Sequence, residues 1–134
     1  MPAYRRRIAG AAAVALVFCF AGCHSQSVSD EPQYIMLTYN GGNCQQNGSP
    51  GVIDVSKGQA VIYQGASLLR NFQVGLSSCP FVAGNCPVKS PNGDSINVGK
   101  PNSGTDGSTF MYNNLNIDGE PCTNAAQMGV RVKP

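Results

Sequence analysis

The residues best equipped for chemistry in this 134-residue chain are sulfur-bearing: six cysteines, accompanied by a single histidine, His24. Four of them, Cys44, Cys79, Cys86 and Cys122, fall in the part that can fold as a domain. A cysteine nucleophile needs a base beside it, and His24 stands far from all four in a polar N-terminal stretch. Their spacings lack the C-x-x-C pairs of a zinc site, so neither a metal nor any other cofactor is expected. Disulfides remain, and three pairings are open. Cys79–Cys86 is favoured because SSCPFVAGNCP, punctuated by Pro80, Gly84 and Pro87, can fold back on itself. Cys44–Cys122 then follows, and closing so long a loop contributes about 4 to 5 kcal/mol in the chain-entropy picture.

The carboxylates Asp54, Asp94, Asp106, Asp118 and Glu120 lie mainly in turn-like segments, where Asp bonds its own backbone. Nothing fixes two of them together as an acid and a base, so no catalytic residue is assigned and the chain is not read as an enzyme. Pro101–Gly107 lacks the alternating ligands and closing Glu of a calcium loop, and Gly99-Lys100 lacks the flanking residues of a phosphate cradle. Leu68-Leu69-Arg70 is expected to be a loop at the sandwich edge with its leucines packed inward.

The start of the chain carries a different kind of chemistry. Met1–Arg7 is basic, and Ile8–Phe20 is an apolar run of thirteen residues. A bilayer-spanning helix needs roughly 20 such residues, so the run has the form of a cleaved export signal. Phe20-Ala21-Gly22-Cys23 resembles the lipobox of bacterial lipoproteins, with Phe20 where Leu is commoner. The resemblance implies cleavage after Gly22, acylation of Cys23 by palmitate-type chains, and a stable membrane anchor. His24, rather than Asp, after that cysteine implies the outer membrane, facing the oxidising periplasm in which disulfides form. Residues 23–33 then serve as a lipidated polar tether and 34–134 as a single domain.

Nine basic and seven acidic residues make the whole chain net positive, but Arg5, Arg6 and Arg7 leave with the signal. The remaining cations are scattered singly, which offers no stripe for phosphates; nucleic acid is not an expected partner.

From Tyr34 onward, short apolar runs suit strands: Tyr34–Tyr39, Val52–Val55, Gln59–Gln64, Asn71–Leu76, Ser95–Val98, Thr109–Tyr112, Leu115–Ile117 and Met128–Lys133. Asn-Gly and Asp-Gly pairs between them reverse the chain. Asn124–Gln127 has room for one helical turn at most. The pattern predicts an all-β fold, a small antiparallel Greek-key sandwich of cupredoxin-like or immunoglobulin-like type, disulfide-linked. The expected core is Ile35, Leu37, Ile53, Val55, Val61, Tyr63, Phe72, Val74, Ile96, Phe110, Leu115, Val130 and Val132.

Val52–Val74 is similar to the middle of cupredoxins, where a V-x-x-G-x-x-V-x-F run precedes a His-Asn pair at a copper ligand. Val55, Gly58, Val61 and Tyr63 fit that run, and Cys122 precedes Met128 in the order of the ligand loop. Blue copper takes two imidazoles and a thiolate. Arg70 stands where the first His belongs, and no second is present. The resemblance therefore implies a fold without its copper.

The functional expectation is a non-enzymatic envelope lipoprotein that binds a protein or a glycan. Two alternatives stand beside it: a cupredoxin-derived carrier or small-ligand protein, and an inhibitor or immunity lipoprotein against a secreted hydrolase.

Overall fold

A computed structural model describes residues 31–66 and 71–134. Cys23, the segment read as its signal, and Leu68-Leu69-Arg70 lie outside the described residues. The strands are β1 (Gln33–Asn40), β2 (Asn43–Gln46), β3 (Val52–Ser56), β4 (Val61–Gly65), β5 (Phe72–Leu76), β6 (Val88–Ser90), β7 (Ile96–Gly99), β8 (Thr109–Ile117), β9 (Glu120–Pro121) and β10 (Gly129–Lys133). One 3₁₀ turn, Ala125–Gln127, falls within the stretch expected to hold a single turn.

The strands form two sheets, a smaller one in the order β2-β1-β4-β7 and a larger one in the order β3-β10-β8-β5-β6, with β9 added to β8. The expected all-β, disulfide-linked sandwich is what forms. Most neighbours are antiparallel, but β1 with β4 and β3 with β10 are parallel. The reason lies in the path of the chain. After β2 it leaves the smaller sheet, runs through the larger as β3, and returns as β4, so β1 and β4 are joined by a crossover rather than a hairpin.

Three elements escaped the pattern. β2, Asn43-Cys44-Gln45-Gln46, has no apolar period, yet Gly41 and Gly42 both take positive φ and close a tight hairpin onto β1. β6 and β9 are three and two residues long. The two runs expected at Thr109–Tyr112 and Leu115–Ile117 are one strand, β8, in which Asn113 is an extra residue: Gly75 faces Asn114 whereas Leu76 faces Tyr112.

Of the expected core, Ile53, Ile96 and Phe110 are only partly buried and pack against its rim; the others are buried. Phe81, Val88, Val98, Tyr112, Ile117 and Met128 join them. Phe81 comes from the stapled loop and meets the Tyr63 ring edge-on at 6.2 Å.

A chain of hydrogen bonds links the two sheets inside this core. The Tyr112 hydroxyl donates to Gln46 Oε1 at 2.6 Å, which leaves it to accept from the Tyr63 hydroxyl at 2.8 Å. Gln46 Nε2 donates to the carbonyls of Gly51 and Gly129, at 2.9 and 2.7 Å. Each polar side-chain group in this Tyr63–Tyr112–Gln46 network is therefore bonded, which is what permits a fully buried glutamine. Burial raises the Tyr63 phenol well above the ordinary tyrosine value; Tyr112 rises too, from burial and from its neighbour Tyr63.

Strand directions define two ends. Gln33, Val61 and Gly99 form one row across β1, β4 and β7, and the Gln33 amide bonds Ala60. The chain preceding the domain enters at this end. The ends of β3 and β10 lie here as well, the Lys57 amide bonding Lys133, as does the 79–86 loop, where the Val82 amide bonds Lys100. The opposite end holds the β1–β2 turn, the start of β5, the end of β6 and the β8–β9 turn at Asp118-Gly119.

Candidate binding groove

At that opposite end the outer face of the larger sheet is concave. A cavity of about 490 Å³ is lined by Asn71, Phe72, Gln73, Lys89, Ser90, Pro91, Asn116 and Gly119. Period-two alternation sets its floor. Phe72 and Val74 point into the core, so Gln73 points out; the same holds for Lys89 between Val88 and Ser90, and for Asn116 between Leu115 and Ile117. Register places Lys89 opposite Gln73 and Gln73 opposite Asn116. The three side chains thus form one row across β6, β5 and β8.

The surrounding turns are held by hydrogen bonds. The Asn71 amide donates to Asp118 Oδ1 at 3.1 Å, and the Asp118 amide donates to the Asn71 carbonyl at 2.9 Å. The Ser90 hydroxyl donates to the Asp94 carbonyl, closing the turn after β6. Asn116 Nδ2 donates to Asn114 Oδ1 at 3.0 Å. Among the described residues, Lys89 has no acid within ion-pair distance. Among the described residues the groove therefore offers carboxamide donors and acceptors and the Lys89 cation, with the Asp118 carboxylate at its rim.

Of the residues singled out in the sequence, Asp94 and Asp118 sit in the turns around the groove and the others described fall elsewhere. Both favoured disulfides are present, Cys44–Cys122 and Cys79–Cys86, each with Cα atoms 5.7 Å apart. The first ties β2 to the segment after β9 at the groove end, where Asn124 also pairs with both backbone groups of Cys44 at 2.9 Å. The second holds the loop at the entry end. Of the carboxylates, Asp54 is bonded by Arg131 at 2.8 Å across β3 and β10, and Asp106 by Lys57 at 2.8 Å. The Arg131 hydrogen bond holds the Asp54 carboxyl below its usual range, and Asp54 raises Arg131 in turn.

The donor set does not fit blue copper. Cys122 sulfur is bonded to Cys44 and is no thiolate, and the chain's one histidine lies at position 24. Arg70 lies outside the described residues, and among those described no group of three or more His, Cys, Asp and Glu is placed to hold a metal. No described helix is long and apolar enough to cross a membrane.

The groove row itself was missed. Alternation marks Gln73 and Asn116 as outward-facing, but their alignment with Lys89 needs β6 and the register of three strands, neither of which is written in the local pattern. Comparison with protein-family models, with curated proteins and with solved structures finds no match.

Proposed function

We propose that this chain is an exported lipoprotein, anchored at Cys23 in the outer membrane and facing the periplasm, and that it acts as a non-enzymatic binding module through the groove. The observation that carries the reading is the placement of the groove and the chain entry at opposite ends of the sandwich. β8, nine residues long, runs about 30 Å between those ends. Ten residue steps lead from Cys23 to Gln33, enough to reach at most about 35 Å from a bilayer. A tether of that reach gives the domain room to turn its groove away from the lipid, toward whatever occupies the space beyond.

A photo-crosslinking amino acid at Gln73, compared with one at Lys100 at the entry end, tests this in cells, alongside mass spectrometry of the N-terminus. The expected result is an acylated Cys23 and a discrete crosslinked species from position 73 alone. An unmodified N-terminus removes the anchor, and no adduct from position 73 removes the groove as the working surface. A secreted hydrolase in the adduct would favour the inhibitor or immunity reading.

A cupredoxin-derived origin is supported by one placement. Val55, Gly58, Val61 and Tyr63, which carry that resemblance, span the turn where the chain crosses from the larger sheet to the smaller. In this reading the scaffold is inherited, the copper ligand set is lost, and the domain serves as a carrier or small-ligand protein.

A further inference from the structure

We infer that the groove binds an oligosaccharide bearing a carboxylate, an acidic glycan strand laid along the row Lys89, Gln73 and Asn116. The inference deepens the proposed function and rests on its assignment of this face as the working surface. It follows from which contacts the groove can make. β5 is paired on both sides, by β6 and β8, so an extended peptide could add only at the outer edge of the three-residue β6, away from Gln73 and Asn116. Along the row itself, recognition must come from side chains.

The side chains available are carboxamides, each with donor and acceptor in one plane, and a hydroxyl on a sugar likewise both gives and takes a hydrogen bond. Neighbouring strands lie about 4.8 Å apart, so the row repeats at close to the advance of one pyranose ring, and its three members cover roughly two rings. Lys89 closes one end of the row without an acidic partner among the described residues, which selects a ligand with negative charge there. The groove's one aromatic lining residue, Phe72, is buried by its core-facing side chain, so a neutral sugar finds no exposed ring on which to stack.

The mature acylated protein in detergent micelles is titrated with tetragalacturonate, with cellotetraose as the neutral control and tetraglutamate as the acidic peptide control, by calorimetry at low and high salt. Saturable binding of tetragalacturonate that exceeds both controls and weakens with salt is expected. Lys89→Met should lower that affinity about tenfold and abolish most of the salt dependence, while Lys100→Met at the other end leaves it unchanged. Gln73→Ala, an outward substitution, serves as the second variant and should weaken binding while the thermal midpoint stays put.

No binding of the acidic tetrasaccharide, equal binding of the neutral one, or preference for tetraglutamate would overturn the inference. A groove that still crosslinks a protein in cells under those outcomes leaves the proposed function standing and the glycan wrong. A groove that crosslinks nothing removes both.

Discussion

The buried hydroxyls are the most exacting residues in the molecule. Replacing Tyr112 with Phe removes the donor to Gln46 Oε1 and the acceptor for Tyr63, leaving two polar groups unpaired inside the core. Such a loss costs about 1 to 3 kcal/mol, and urea unfolding of Tyr112→Phe should show it with an unchanged m-value. The same pair sets an alkaline limit. Both phenols have folded-state values above the unfolded value of 10.0, so the stability they contribute is complete below that value and declines as the pH rises past it. Phenolate absorbance from Tyr63 and Tyr112 should therefore appear only together with loss of the β-sheet circular dichroism signal. Asp54 acts with the opposite sign: its lowered value contributes stability above the unfolded carboxylate range that is lost as the pH falls, weakly, because the pair is exposed. Gly129 is exacting in a different way. A Cβ there would lie 2.5 Å from the Phe110 carbonyl and 2.9 Å from Met111 Cα, both backbone atoms that cannot swing aside. Gly129→Ala should lower the thermal midpoint by more than Tyr112→Phe does.

Among the elements, the two disulfides divide the work unequally. Cys44–Cys122 spans 78 residues and Cys79–Cys86 spans 7, for which loop closure contributes about 4.5 and about 2.5 kcal/mol. Replacing each pair by alanine, and comparing denaturation midpoints, should show the long-range pair to be the costlier loss. These bonds, the strands with apolar alternation and most of the core were legible because each depends on neighbours in sequence or on simple counting. What escaped was decided by distant partners. β2 is a strand because Cys44 is tied to Cys122 and Gln46 finds Tyr112 and Gly129, none of which its own polar residues announce. Asn113-Asn114 read as a break, but the strand passes through them by carrying one extra residue. The groove was least legible of all, since a row across three strands is a property of register and not of any one segment.

At the scale of the whole molecule, the two ends of the sandwich are not equivalent. Fluorophores placed at Lys100 and at Lys89 of the acylated protein on vesicles should transfer energy to a membrane-bound acceptor unequally, with position 100 the more efficient donor; equal transfer would mean that the domain lies on its side. β10 runs parallel to β3 and finishes beside Lys57, so Lys133 emerges at the same end at which Gln33 begins β1. If the proposed anchor holds, a reporter or affinity tag appended after Pro134 would be crowded between the protein and the bilayer. Guest sequence spliced into the Pro91–Asp94 turn would project outward, but against the rim of the groove.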